Sequence, residues 1–228
     1  MNFSIIIINY NTAQLTLDCV NYINLLPDFS DFEIIVVDNG SAKSDADILS
    51  SKLGGNIKFV KSENNLGFSG GNNLGAKQAI GKYLLFLNSD TIIKKNIFSN
   101  ILKIFLEDEQ IGIVSPRLIN PDGSFQTKSY GPFPNIKYLL YKNIISKKDN
   151  DFPKKSDWVS GAALFIRHDL FDRIGGWDNN FFLYLEDVDL CWMVRKSGYK
   201  IILDNSTEVI HLQGRSLNKS QKKTAVLL

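Results

Sequence analysis

Three acids, Glu186, Asp187 and Asp189, fall within four consecutive positions just after the apolar run Phe181-Phe182-Leu183-Tyr184-Leu185. Arg195, Lys196 and Gly198 follow at the distance expected of a helix end, so the segment reads as a helix over Glu186–Ser197 with acids at its positive pole and bases at its negative one. At 100° per residue, Asp187 lies within the stripe formed by Leu190, Cys191 and Val194 and is expected to face inward. A buried acid is costly without a partner, and a cleft in which it acts as a general base accounts for it. Two other acids close apolar runs. Asp38 ends Glu33-Ile34-Ile35-Val36-Val37 and is followed by Asn39-Gly40-Ser41, a pattern that suits either a turn or an acceptor for a base N–H or ribose hydroxyl. Asp90 follows Tyr83-Leu84-Leu85-Phe86-Leu87 through Asn88 and Ser89, and serves either as a strand-end cap or as a ligand for a hard cation that completes its shell with phosphate and water. His211 ends Glu208-Val209-Ile210 and by itself indicates little, and His168 is assigned no role.

These side chains require a scaffold that brings distant segments together. Short β-rich runs alternate with helical stretches through the first 90 residues, the pattern of a parallel sheet covered by helices. Strands are expected at Phe3–Asn9, Phe32–Asp38, Ile57–Lys61 and Tyr83–Leu87, with helices at Leu15–Leu26 and Asp45–Leu53. Asn64–Asn73 reads as a Gly/Asn-rich turn whose backbone amides could meet an anion, followed by a helix to about Ile80. Three strands end in polar residues, at Asn9-Tyr10-Asn11, Asp38–Ser41 and Asn88-Ser89-Asp90, and strand tips of this kind converge on one crevice in open parallel sheets. Further on, a helix is expected at Asn96–Glu109, extended chain at Gly112–Leu118, a turn at Pro121-Asp122-Gly123, regular structure at Trp158–Arg167, a short helix at Asp169–Ile174, and strands at Tyr199–Leu203 and Glu208–His211.

The 228 residues are 44% hydrophobic and 22% charged, which excludes a disordered or collagen-like chain. A chain of this size buries roughly 70–75% of its unfolded surface and needs no staples. The net charge of +2 argues against a nucleic-acid partner. Cys19 and Cys191 fit neither a disulfide framework nor a metal site, which points to a reducing compartment. The N-terminus lacks signal-peptide features, and no run approaches the roughly 20 apolar residues of a membrane helix. The expectation is a cytoplasmic protein, at most resting on the inner face of the plasma membrane.

In order along the chain, Ser4–Asn11, Val36–Ser41, Glu63–Asn73 and Leu87-Asn88-Ser89-Asp90 resemble family 2 glycosyltransferases. Asn120-Pro121-Asp122-Gly123, Trp158–Ala162, Gly175-Gly176-Trp177-Asp178 and Phe181–Cys191 resemble the rhamnosyltransferase-type branch of that family. The resemblance covers nearly the whole chain. It implies an α/β GT-A fold with a Rossmann-like, mostly parallel sheet flanked by helices, a nucleotide-sugar donor such as dTDP-rhamnose or a UDP-sugar, a divalent metal (Mg²⁺ or Mn²⁺) and inversion at the anomeric carbon. By the same resemblance Asp38 contacts the nucleotide base, Asn9 and Asn11 lie beside it, and Asn65, Asn72 and Ser89 line the donor pocket. Asp90 holds the metal on the diphosphate, His211 completes its shell, and Asp187 is the catalytic base with Glu186 beside it. Trp158, Gly161 and Ala162 lie near sugar and acceptor. Asn88 stands where the family's first DxD acid would be, so the metal would rest on Asp90, His211, phosphates and water.

The expected organisation is one GT-A domain over 1–228, with a nucleotide-binding half at 1–90 and an acceptor-binding half at 91–228 that ends in a basic tail. The acceptor implied is a glycan, lipid-linked in cell-surface polysaccharide or O-antigen synthesis. The lysines between Lys137 and Lys155, with Ile136, Leu139, Leu140 and Ile144 at helical spacing, and the bases from Arg215 to Lys223 read either as solvated faces or as contacts to an anionic membrane or acceptor. Two competing readings are a non-catalytic nucleotide-sugar binder of the same fold and a nicotinamide-dependent dehydrogenase. The latter lacks its glycine fingerprint after the first strand, where Asn9-Tyr10-Asn11-Thr12 stands.

Overall fold

The computed structural model describes residues 1–27, 31–134 and 153–213. Ile136, Leu139, Leu140, Ile144, the lysines from Lys137 to Lys148 and the bases from Arg215 to Lys223 therefore lie outside the described residues.

The first strand, β1 (Phe3–Asn9), consists mostly of isoleucine and is buried along nearly its whole length, as expected of a central strand covered on both faces. It pairs in parallel with β2 (Phe32–Asn39) on one side and β4 (Tyr83–Asn88) on the other, and β3 (Ile57–Ser62) adds in parallel to β2. The direction then reverses. Strand β9 (Ala163–Arg167) runs antiparallel to both β4 and β6 (Ile111–Ile119), β10 (Lys200–His211) is parallel to β6, and the short β5 (Thr91–Ile92) closes the edge antiparallel to β10. The eight-stranded order is β3-β2-β1-β4-β9-β6-β10-β5, and β7 (Tyr130–Gly131) pairs with β8 (Trp158–Val159) in a separate ribbon. The sheet is thus mixed but mostly parallel.

The period-2 pleat divides the core into two layers. Ile5, Ile7, Ile34, Val36 and Leu85 face α1 (Ala13–Asn24), α4 (Phe98–Glu107) and Leu49 of α2 (Lys43–Lys52). Ile6, Ile35, Val37, Leu84 and Phe86 face α3 (Gly67–Ala76), α5 (His168–Arg173) and α6 (Glu186–Lys196).

Two expected elements differ. The Gly/Asn-rich segment is itself helix α3 rather than a turn leading into one. Glycine disfavours a helix interior by about 1 kcal/mol, but here the helix lies too close to the sheet for a side chain. A Cβ on Gly75 would come within 2.5 Å of Ile6 Cγ2, so close packing overrides propensity. The expected strands at Tyr199–Leu203 and Glu208–His211 are one strand, β10, with a register shift between Asp204 and Glu208. The polar interruption is absorbed by Asp204, which accepts from the Ser206 amide at 3.0 Å, Ser206 Oγ at 2.7 Å, Thr207 Oγ1 at 2.5 Å and Asn100 Nδ2 at 2.9 Å.

Candidate active site

The strand tips do converge. At the end of β1, Asn9 Nδ2 donates toward Asp38 Oδ1 at 3.2 Å, Ser41 Oγ at 3.0 Å and Asp45 Oδ2 at 2.8 Å. Its Oδ1 accepts from Thr12 Oγ1 at 3.2 Å and Thr16 Oγ1 at 2.9 Å. Asn11, with φ of 55°, accepts at Oδ1 from the Ala42 amide at 2.8 Å, and its own amide donates to Ser41 Oγ at 3.0 Å. Asp45 was not singled out from sequence. From the first turn of α2 it also accepts the Ala13 amide at 3.0 Å, capping α1 across space, and nothing local marks that role. Asp38 is fully buried, and its Oδ2 has no hydrogen-bond partner. A buried, unsatisfied carboxylate oxygen is rare enough to require a reason, and a ligand donor at this crevice supplies one.

The next tip carries Asn39, whose Nδ2 donates to Asn65 Oδ1 at 3.1 Å and to the Gly67 carbonyl at 2.9 Å, and whose Oδ1 accepts the Leu66 amide at 3.1 Å. Asn65 Oδ1 also accepts the Gly67 amide at 2.9 Å, and the Phe68 amide donates to the Phe182 carbonyl at 2.8 Å. The Leu66, Gly67 and Phe68 amides are therefore engaged by protein groups rather than turned toward a ligand. Asn72, by contrast, is buried with no partner at Nδ2.

At the end of β4, Ser89 Oγ lies 3.5 Å from Thr12 Oγ1, linking this tip to that of β1. Asp90 Oδ1 lies 3.4 Å from His211 Nε2, and Asn88 Nδ2 lies 3.5 Å from the same nitrogen. His211 arrives from the end of β10, where it pairs with Thr91. Its Nδ1 lies 3.0 Å from Gln126 Oε1.

The Asn88 amide donates to the Ala162 carbonyl at 3.0 Å, and the neighbouring Gly161 amide donates to Asp187 Oδ2 at 3.3 Å. Asp187 Oδ1 accepts the Val188 amide at 2.9 Å. The Asp90–His211 pair and Asp187 are thus joined through one short stretch, Gly161-Ala162. Burial raises Asp187 above the usual carboxylate range, and the Gly161 and Val188 amides oppose the shift. Glu186 is the less solvent-exposed of the two acids, at 6%, with Oε2 unpartnered, whereas Asp187 keeps partial solvent access. Burial, with a smaller push from the Asp187 charge, lifts Glu186 to about 7. Trp158, three residues before Gly161, donates from Nε1 to the Pro132 carbonyl at 3.1 Å.

The acids are approached through a tense turn. Tyr184 and Leu185 have φ of 71° and 70°, a region that bulky L-residues avoid, and residues held in such conformations cluster at functional sites. Phe182, Tyr184 and Leu185 are 56%, 51% and 58% exposed around this turn.

The donor set fits a hard divalent cation. Asp90 offers a carboxylate, His211 an imidazole nitrogen and Asn88 an amide. Mg²⁺-type ions take one or two carboxylates and leave the rest of the shell to phosphate and water. Among the described residues no group of three or more His, Cys, Asp or Glu side chains is placed to hold a metal without such help.

The strand tips thus gather amides, carboxylates and a histidine beside a helix-borne acid pair, at the carboxyl ends of the parallel strands where α/β sheets place their ligand crevice. Residues 4–175 match the family described as Glycosyl transferase family 2, and the chain belongs to that family. It is 27% identical over 221 residues to the low-salt glycan biosynthesis hexosyltransferase Agl10 of Haloferax volcanii, covering 93% of this chain and 67% of that one. It is 26% identical over 203 residues to the rhamnosyltransferase WbbL of Escherichia coli K12, covering 82% and 75%. Among solved structures it superposes on GalNAc-T7 with UDP, GalNAc and Mn²⁺ at a TM-score of 0.71 and 18% identity, over 92% of this chain and 44% of that one. It superposes on the mannosyltransferase PcManGT of Pyrobaculum calidifontis with GDP-Man and Mn²⁺ at 0.69 and 15% identity, over 94% and 57%. The fold is therefore GT-A, as the sequence motifs imply, and the nicotinamide reading is set aside. No helix among the described residues is long and apolar enough to cross a membrane.

Proposed function

We propose that the chain transfers a sugar from a nucleoside-diphosphate sugar to a glycan hydroxyl with inversion at the anomeric carbon. The observation that carries the reading is the connection Asp90–His211–Asn88–Ala162–Gly161–Asp187, which sets a cation-binding pair and a raised carboxylate on either side of one backbone turn. Residues 1–90 hold the donor in this reading. Asp38 offers Oδ2 to the base, Asn9 and Asn11 brace it, and Asn65, Asn72 and Ser89 shape the pocket. Residues 91–228 receive the acceptor, with Gly161, Ala162, Trp158 and Glu186 near the sugar.

Asp187 takes the proton from the acceptor hydroxyl as its oxygen forms the new bond to C1 and the bond from C1 to the diphosphate oxygen breaks. A positioned base of this kind contributes on the order of 10²–10⁴-fold. Raised by burial, Asp187 is a better proton acceptor than a solvated aspartate, and the Gly161 amide fixes one of its oxygens. Asp90 and His211 would hold a Mg²⁺ or Mn²⁺ ion, which would supply positive charge against the departing diphosphate. Glu186, uncharged for much of the time near neutrality, keeps a second negative charge away from the donor.

The relatives, a hexosyltransferase of low-salt glycan biosynthesis and a rhamnosyltransferase, support a hexosyl or rhamnosyl donor and a role in glycan synthesis; a dTDP- or UDP-linked sugar and a lipid-linked acceptor at the cytoplasmic side of a membrane rest on the sequence resemblance alone. The deciding experiment is a panel of nucleotide sugars tested for Mn²⁺-dependent binding and then for transfer. Failure of every nucleotide sugar to bind, with or without Mn²⁺, would remove the reading, and binding without transfer or hydrolysis would reduce the chain to a sugar-nucleotide binder.

A further inference from the structure

We propose that Gln126 is a positioning residue that fixes His211 in the tautomer with its proton on Nδ1, leaving the Nε2 lone pair directed at Asp90. The inference rests on the metal-dependent reading above and assigns the residue that prepares the histidine for it. Gln126 is 5% exposed and sits where the chain returns from the Pro121–Gly123 turn, its amide donating to the Leu118 carbonyl at 3.0 Å. Its side-chain Nε2 faces three oxygens: the His211 carbonyl at 2.7 Å, Asn120 Oδ1 at 3.0 Å and the Ile119 carbonyl at 3.4 Å. Two of these are backbone carbonyls and cannot turn, so reversing the amide would set oxygen against oxygen. The orientation of the Gln126 amide is therefore determined by its surroundings, and Oε1 faces His211 Nδ1 at 3.0 Å. An amide oxygen only accepts, so Nδ1 must donate.

The consequence appears at the other ring nitrogen. With Nδ1 donating, the neutral ring has its lone pair at Nε2, 3.5 Å from Asn88 Nδ2 and 3.4 Å from Asp90 Oδ1. A lone pair and a carboxylate oxygen at that separation do not attract one another, but both attract a cation placed between them. Histidines that bind metals usually donate their second ring N–H to a fixed acceptor, and losing that acceptor typically costs 10–100-fold in metal affinity. Gln126 is such an acceptor, 85 positions away in sequence.

The chain has two histidines, so a ¹⁵N-labelled sample gives two imidazole patterns. His168 is an internal control, because its amide bonds to Lys82 beside the start of β4 whereas His211 lies beyond the strand's other end. Long-range ¹H–¹⁵N spectra of the full wild-type chain are expected to show His211 protonated at Nδ1 alone, and added Mn²⁺ should broaden that ring before His168. Gln126→Met is expected to lose the tautomer preference and weaken Mn²⁺ binding at least about 10-fold. A wild-type proton on Nε2, or a folded Gln126→Met chain with unchanged Mn²⁺ affinity, would overturn the inference while leaving the metal-dependent reading intact. Absence of any Mn²⁺ effect at His211 in the wild type would remove that reading and this one together. Should Gln126→Met fail to fold, the wild-type spectrum alone still decides the tautomer.

Discussion

The amide of Gly161 donates to Oδ2 of Asp187 at 3.3 Å, tying the acid at the start of α6 to the turn between β8 and β9. The hydrogen bond holds one carboxylate oxygen in a fixed direction, while the burial that raises the group leaves it ready to accept a proton. An asparagine can keep that hydrogen bond but cannot act as a base.

Asp187→Asn is therefore expected to lower transfer by about 10²–10⁴-fold with donor affinity nearly unchanged. Initial rates and calorimetry on the same preparation separate the two effects. A variant that retains turnover close to wild type would take Asp187 out of the base role.

Glu186 sets a pH dependence. Its folded value of about 7 lies above its ordinary 4.5, so in that window the folded chain holds a proton that the unfolded chain has released. Stability is unaffected below the lower value, falls as pH rises through the window, and has lost its full increment above the upper one. At 1.36 kcal/mol per unit this amounts to roughly 3 kcal/mol. The stability of Glu186→Gln relative to wild type should therefore increase with pH over that range, as denaturant titrations at several pH values can measure. A difference independent of pH would count against a buried, protonated Glu186.

Asp90 and His211 form a single unit at 3.4 Å. Asp90→Ala and His211→Ala should each remove the Mn²⁺-dependent part of donor binding and leave the metal-independent part that EDTA also leaves. Their effects should be strongly non-additive, as for groups sharing one partner. Additive losses in a double-mutant cycle would place the metal elsewhere.

Gly67 has φ of +72°, and a Cβ there would come within 2.5 Å of the Phe182 carbonyl oxygen. Gly67→Ala must displace the strained turn that leads into Glu186, at a cost of about 1–3 kcal/mol. For a chain of this size that is roughly 2–4 °C in Tm per kcal/mol, with transfer falling as well. An unchanged melting temperature would show that the turn is not anchored on α3.

Much of this was legible in the sequence. Unbroken apolar runs such as Ile5-Ile6-Ile7-Ile8 identify central strands, and polar endings at Asn9, Asp38 and Asp90 mark where the crevice opens, because both signals are local. Helix α3 is hidden in the sequence because its glycines answer to a sheet surface that only the tertiary structure shows. The inward stripe of α6 follows from its periodicity, but periodicity does not show that Glu186 is less exposed than Asp187, since the left-handed turn at Tyr184 and Leu185 sets how the helix begins. Gln126 and Asp45 left no trace, because a single amide or acid in a polar stretch acquires its role from partners that lie dozens of residues away.

The reversed strand β9 gives the site its two-sided construction. Parallel strands deliver their carboxyl ends to the crevice, and a strand running the other way delivers its amino end to the same rim, so Gly161 and Ala162 reach the cleft as a lead-in to β9 while Asn88, Ser89 and Asp90 reach it as an exit from β4. In the proposed function one rim would serve both partners of the reaction, outgoing chain for the nucleotide and incoming chain for the hydroxyl. In that reading a change in the loop before β9 would act on the acceptor first and reach the end of β4 only through the Asn88–Ala162 hydrogen bond.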